Sequence, residues 1–457
     1  MTASAIHQEK LSLRTIFVTW WPLAASWLLM GAELPVLSAV VARLPEPEIN
    51  LAAYGGVVFP LALIIESPII MLLAASTALS KDWLSYRKIW RFMMLAGAGL
   101  TILHLLLAFT PLYYLVVKVI IGAPQEIIEP ARIGLMIMTP WTWAIAYRRF
   151  NQGVLIRFGH SQTVGIGTVI RLAADVLVLG IGYLLGSQPG IVVATCAVSA
   201  GVVSEALYSG IVVRPVLREQ MMPALATEQP LTLASFLAFY MPLVMTSLLT
   251  MLAQPIGSAA LSRMPLALES LAIWPVVGGL IFMLRSLGMA YNEVVVTLLD
   301  RPASLESLRR FTIWLALISS LCLMLMAATP LSTFWFEQFS GLSRELTRLA
   351  RVGLWVALPL PALAVLQSWF QGAILHGRRT RGITEAVVIY LVSIGLLFWL
   401  GVLWSGLPGL YVGLGGMGLS MLVQTAWLWQ RSQPVMQSVL TREAQTFASR
   451  AAGVSLD

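Results

Sequence analysis

Charge is the scarcest commodity in this sequence: 11% of its 457 residues are Asp, Glu, Lys or Arg, against roughly a quarter in soluble domains. So little charge cannot cover a water-facing surface. With 58% hydrophobic residues and a mean hydropathy of +0.83, most of the chain must lie in lipid. No stretch alternates apolar and polar residues with a period of two, which disfavours an outer-membrane barrel. No glycine-rich loop is followed by Lys and Ser or Thr, which excludes an ATP-hydrolysing site. No His, Cys and carboxylate group has metal-ligand spacing, so neither an enzyme nor a bound cofactor is expected. The two cysteines, Cys196 and Cys322, sit far apart in apolar segments and read as small packing residues, not as a disulfide.

What is present is apolar length. A helix needs about 20 apolar residues to cross a bilayer, and twelve such segments can be drawn: 15–42, 51–77, 91–114, 132–156, 163–186, 190–213, 235–261, 270–297, 311–333, 351–374, 383–404 and 408–430. The polar first 14 residues precede a long hydrophobic stretch with no small-residue cleavage site, which reads as a retained first helix. The net charge of +8 raises the question of a nucleic-acid partner, and the placement of the charges answers it. With the amino terminus inside, 21 Lys and Arg fall in cytoplasmic parts, Arg148, Arg149 and Arg171 among them, and 7 fall in outer loops. That bias predicts a multi-pass protein of the inner (plasma) membrane with both termini cytoplasmic, and no nucleic-acid role.

The chain also repeats itself. At an offset of 220, Pro22 falls on Pro242, Pro35 on Pro255, Arg43 on Arg263 and Pro45 on Pro265. After one residue of slippage the offset becomes 219, and Phe92 matches Phe311, Pro111 matches Pro330, Gly153 matches Gly372 and Pro189 matches Pro408. Six segments per copy is an even number, so both copies insert the same way up. The expected fold is an all-α polytopic membrane protein: twelve transmembrane helices in two six-helix lobes related by a pseudo-two-fold along the membrane normal. The lobes are drawn at 1–218 and 235–430, joined by a cytoplasmic linker at 219–234 and followed by a polar, mobile and dispensable cytoplasmic tail at 431–457. The stretch 337–351 reads either as an amphipathic helix on the outer face or as a solvated loop.

Ionisable groups within spans are costly and are functional candidates by default. Glu33 lies in segment 1 beside Pro35, which leaves a carbonyl of the preceding turn unpaired; it is the candidate ion-coupling carboxylate, with a structural hydrogen bond as the plainer reading. In the second copy its place is taken by apolar Ala253, with Gln254 alongside. Glu66 and Arg285 are equivalent through the repeat and are expected either as a gate that a charged substrate breaks or as a permanent clamp. Arg285 also suits carboxylate or phosphate, and Asn292 and Gln254 complete the proposed substrate-binding set. Gln152, Gln371 and Glu205 are assigned to a gate or a helix seam. Arg171 and Asp175 are spaced to pair on one helix face, and His104 reads as a packing residue.

With these residues in view, the chain resembles the multidrug/oligosaccharidyl-lipid/polysaccharide flippase superfamily, which includes the multidrug and toxic compound extrusion transporters. It is most similar to the progressive ankylosis protein family, through Gly31 and Glu33 followed by Leu51 to Gly55, through Pro242, Leu243, Pro255, Ile256, Ser262 and Arg263, and through the run Gly153, Val154, Leu155. The resemblance implies a V-shaped cavity lined by segments 1, 2, 7 and 8, export of small organic anions such as pyrophosphate, nucleotides or citrate, and a functional glutamate at Glu33. The family's basic residue in the second helix has no match here, where Glu66 stands nearby.

The expectation is therefore a secondary active transporter, working by alternating access as a monomer in the bilayer. It exports a small, anionic organic solute, coupled to a proton or sodium gradient. The alternatives are a flippase for a lipid-linked precursor, with a lateral opening between segments 1 and 8, a multidrug cation exporter, or a membrane protein without transport whose cleft is plugged by apolar side chains.

Overall fold

The computed structural model describes residues 11–224, 231–301, 304–377 and 381–451. Lys10, Arg378 and Arg379 from the charge count, linker residues 225–230 and tail residues 452–457 fall outside them. Among the described residues every regular element is helical. Nine helices among the described residues are long and apolar enough to cross a membrane: α1 (Leu13–Val41), α2 (Pro47–Leu79), α3 (Trp83–Phe109), α5 (Ser161–Leu185), α6 (Gly190–Met221), α7 (Leu233–Leu261), α8 (Ala267–Leu298), α9 (Ser304–Ala328) and α11 (Arg381–Trp404). A tenth, α10, is Arg344–Val356 bent by 40° into Leu360–His376. Its counterpart α4 is Gln125–Ile137 continued by Thr139–Arg157, and α12 is Gly409–Ala451. Together they form the twelve-helix, two-lobe array expected from the repeat.

Helix starts follow side-chain chemistry more closely than hydropathy. Asp82 and Ser85 form a capping box on α3, and Thr232 with Ser235 forms another on α7. Such boxes satisfy end-of-helix N–H groups. They start α3 before the predicted position 91, because the charged first turns carry no apolar signal. The stretch 337–351 is only partly what was expected. From Arg344 it is helical and amphipathic, but it is the first half of α10, with Leu346, Ala350 and Leu354 buried. The tail also departs from expectation. Helix α12 continues far beyond Gln430, buries Val435, Met436 and Val439, and is pinned by Arg431 to Glu385 at 2.5 Å and by Arg442 to Asp300 at 2.6 Å.

The pseudo-two-fold is visible contact by contact. Glu46 and Leu266 both take a left-handed conformation just before α2 and α8. Asn50 Oδ1 accepts the N–H of Ile191, and its counterpart Ser270 Oγ accepts the N–H of Leu410. Gly153 and Gly372 each allow a close crossing: a Cβ would stand 2.5 Å from the Leu73 carbonyl oxygen and 2.7 Å from Val295 Cβ. Between the lobes, Trp20 Nε1 donates to the Leu287 carbonyl at 2.9 Å and sits against Phe311. The equivalent Tyr240 hydroxyl donates to the Pro68 carbonyl and sits against Phe92. The outward faces of the helices carry bare apolar side chains, such as Leu95 (75% exposed) and Leu184 (83%), which only lipid would cover.

Candidate functional site

Helix α1 is interrupted for a single residue at Ala32, between Leu13–Gly31 and Glu33–Val41. Ala32 keeps right-handed helical torsions, and its N–H still bonds the Leu28 carbonyl. It lies three residues before Pro35, which lacks an N–H and crowds the carbonyl four residues back. Helix α7 carries the matching Pro255 and runs from Leu233 to Leu261 without such an interruption. Directly after Ala32, the Glu33 carboxylate Oε2 meets Arg171 Nη2 of α5 at 2.7 Å.

Arg171 is the hub of a buried network. Its Nε lies 3.7 Å from Glu205 Oε2 on α6. That carboxylate also holds Arg148 Nη1 of α4, while its other oxygen accepts Gln152 Nε2 at 2.9 Å. Four helices, α1, α4, α5 and α6, are therefore tied by side-chain charge inside one lobe. Several polar atoms around the hub are buried without a protein partner: both Asp175 oxygens, Glu66 Oε2, Arg149 Nε, Asn151 Nδ2 and Gln152 Oε1. Buried polar groups are paired as a rule, with ordered water where protein fails. Such a concentration of polar atoms sets this part of the lobe apart from the apolar packing around it.

Three sequence readings are corrected by this geometry. Arg171 and Asp175 do not pair. Arg171 reaches across to other helices, and Asp175 packs so closely on α6 that a Cβ on Gly201 would lie 1.8 Å from its Oδ1. An i,i+4 pair with the cation first is the weaker orientation, so the interhelical partners win. Arg148 and Arg149 are not loop residues. Arg148 is 5% exposed within α4, and removing it, Arg149 and Arg171 from the inner count leaves 18 cations against 7. Their place was readable, since both arginines fall inside segment 4 as drawn. Glu205, which showed no partner in the sequence, has two arginines and a glutamine.

Glu66 and Arg285 do not form an ion pair. Each turns into its own lobe. Glu66, 3% exposed, lies within electrostatic reach of Arg149, Arg148 and Arg171. Arg285 lies beside Tyr390 and points Nη1 at Met417 Sδ, 3.9 Å away. Tyr390 is the repeat equivalent of Arg171, so both side chains occupy the same place in opposite lobes and face away from each other. The permanent clamp is absent from this arrangement. Asn292 Nδ2 donates to Gln371 Oε1 at 3.4 Å, a weak seam between α8 and α10. Gln254, half-buried on α7, offers its backbone carbonyl to Ser258 and lies apart from these contacts. His104 is fully buried, with Nδ1 against Thr142 at 2.8 Å and Nε2 against the Leu135 carbonyl at 3.0 Å, as a packing residue should be.

The second lobe keeps the frame of the network and drops its charge. Arg148 and Glu205 correspond to Gln367 and Gln424, and Gln367 Nε2 donates to Gln424 Oε1 at 3.0 Å. Asp175 corresponds to Ile394, which is buried. Arg285 is left as a guanidinium without an ion-pair partner among the described residues, its Nε buried and unsatisfied.

No protein-family model matches the chain, and neither does any curated protein. Solved structures do match over nearly its whole length. An inward-facing multidrug resistance MATE family transporter of the MOP superfamily is 15% identical, with 92% of this chain and 99% of that one covered and a TM-score of 0.63. The lipid II flippase MurJ in an inward closed conformation is 14% identical, with 95% and 94% covered and a TM-score of 0.68. A mutant of the Vibrio cholerae MATE transporter VcmN is 18% identical, with 93% and 97% covered and a TM-score of 0.64. At these identities the likeness defines the fold: this is a multi-pass membrane protein with the architecture shared by MATE transporters and a lipid flippase.

Proposed function

We propose that the protein is a secondary active transporter that moves a small organic anion across the inner membrane by rocking its two lobes, with both termini cytoplasmic. The observation that carries this reading is the Glu33–Arg171 pair at 2.7 Å, which ties helix α1 to a buried charge network that the other lobe lacks. A proton or sodium ion bound at Glu33 neutralises the carboxylate and frees Arg171. Helix α1 is then held by one ion pair fewer, and its position relative to α5 shifts. A bound ion changes a conformational equilibrium only through such differential contact.

Arg285 supports the anionic cargo. A buried cation without a counter-charge is unfavourable, and a carboxylate or phosphate entering the second lobe would supply the missing charge through a bidentate fork. The resemblance to the progressive ankylosis family points the same way. Export of multidrug cations would bring a second positive charge to Arg285 and is disfavoured. The flippase reading needs a lateral opening between α1 and α8, and that seam is tight: Cβ atoms on Gly31 and Gly279 would lie 3.3 Å from Met283 and 3.0 Å from Pro35.

The test is a thermal-shift screen of detergent-purified protein with citrate, inorganic pyrophosphate and nucleoside monophosphates against organic cations such as ethidium. Stabilisation by one of the anions, lost in Arg285→Gln, is the expected result. Stabilisation by the cations alone would overturn the anionic reading.

A further inference from the structure

A second matched pair of cross-lobe contacts lies on the face opposite both chain ends and takes no part in the buried charge network. Arg43, at the end of α1, donates Nη1 to the Phe339 carbonyl at 2.9 Å and Nη2 to the Gln338 carbonyl in the second lobe. Arg263, its counterpart at the end of α7, donates to the carbonyls of Val119 at 3.1 Å, Ile120 at 2.7 Å and Ile121 in the first. The acceptors are the final turns of two widened helices, Leu115–Ile121 and Phe334–Phe339. Carbonyls at such ends lack helical partners and carry the negative end of the helix dipole, which favours a cation.

Both arginines are also held on their own side, by the Ala39 carbonyl at 2.6 Å and the Ala259 carbonyl at 2.7 Å, so each fork is pre-aimed across the boundary. The receiving loops are shaped to admit them. Gly122 and Gly341 have φ of +72° and +73°, and a Cβ would stand 3.0 Å from Arg263 Cζ at one and 3.1 Å from Arg43 Nη1 at the other. Glycine is required twice over, for the backbone conformation and for the space.

We infer that Arg43 and Arg263 are a reciprocal latch that holds the lobes together on this face, and that opening it requires withdrawing both guanidinium groups. The latch rests on the rocking-lobe reading and assigns its closed-state contacts to two residues outside the coupling and substrate sites. Because each arm spans the lobe boundary in the opposite direction, one intact arm resists separation, and the two must release together.

The test places spin labels at Glu126→Cys and Glu345→Cys, equivalent exposed positions on α4 and α10, with Cys196→Ala and Cys322→Ala removing the native thiols. Interlabel distances are measured in nanodiscs. The parent is expected to give one short distance, R43A/R263A to add a longer population, and each single variant to add less than half of it. Gly122→Ala with Gly341→Ala, which displaces the forks without touching them, is expected to do the same. An unchanged distance in both double variants overturns the latch. Glu33→Gln, measured with the same labels, separates the two ideas: if it alone moves, only the latch falls, and if nothing moves, the rocking-lobe reading falls as well.

Discussion

The first lobe gathers four carboxyls, three of them buried, and three guanidinium groups, Arg171 among them, whereas the second, built on the same six-helix frame, answers with a glutamine pair, a tyrosine and one unpaired arginine. The packing is duplicated down to the glycines at the helix crossings, but the chemistry is not. Repetition therefore accounts for the fold, and divergence at a handful of buried positions is what the proposed division of labour, ion in one lobe and cargo in the other, rests on. The proline shared by α1 and α7 makes the same point. Only the copy with a carboxylate two residues away, joined to an arginine on another helix, shows a one-residue interruption.

The comparison can be broken most severely at Arg148. Its removal takes the nearest cation from Glu205, 1% exposed, and leaves Gln152 at 2.9 Å and Arg171 Nε at 3.7 Å. Breaking a buried pair from one side costs about 3–5 kcal/mol, and the remaining partners put the loss at the lower end. The equivalent Gln367→Ala strands a neutral amide and is expected to cost about 1–3 kcal/mol. Unfolding of the two variants in detergent, followed by tryptophan fluorescence, reads the difference directly. Equal losses would mean that the charge adds nothing to the pair. Replacing both partners, in R148Q/E205Q, copies the second lobe into the first. Stability close to the parent is expected, because a buried ion pair exchanged for a well-matched neutral one is often neutral, and transport is expected to be lost with the charge network. The smallest effect belongs to the seams. Trp20→Phe and Tyr240→Phe each delete one hydrogen bond across the lobes and should lower stability by about 1 kcal/mol apiece, with unequal losses contradicting the symmetry of the contact.

Much of this arrangement was legible in the sequence because membrane helices and duplication both leave long-range signals. Twelve apolar segments and the offset between Arg43 and Arg263 were enough for two lobes and their relation. The site was less legible. Glu33 stood out as an intramembrane carboxylate next to a proline, but its partner is 138 positions away on α5, and the nearer Asp175 offered a plausible local pair that tertiary geometry overrides. Arg148 and Arg149 were hidden by the habit of assigning arginine to loops. They were counted with the cytoplasmic parts although segment 4 was drawn through both, and Arg148 is one half of a buried pair with Glu205. The permanent clamp offered for Glu66 and Arg285 is absent here for a geometric reason. Equivalence under a two-fold fixes the depth of two side chains but not which wall of the helix they leave from. The tail was misjudged because its buried residues, Val435, Met436 and Val439, recur at helical spacing among polar ones and never form an apolar run.

The central claim is that charge on Glu33 drives the exchange between lobe positions. It is tested most directly by gradient-driven uptake into proteoliposomes of whichever anion stabilises the protein best, comparing the parent with Glu33→Gln. The account expects uptake in Glu33→Gln to fall to the level seen after the gradient is collapsed with an ionophore, with the variant still folded. Uptake equal to that of the parent would contradict it.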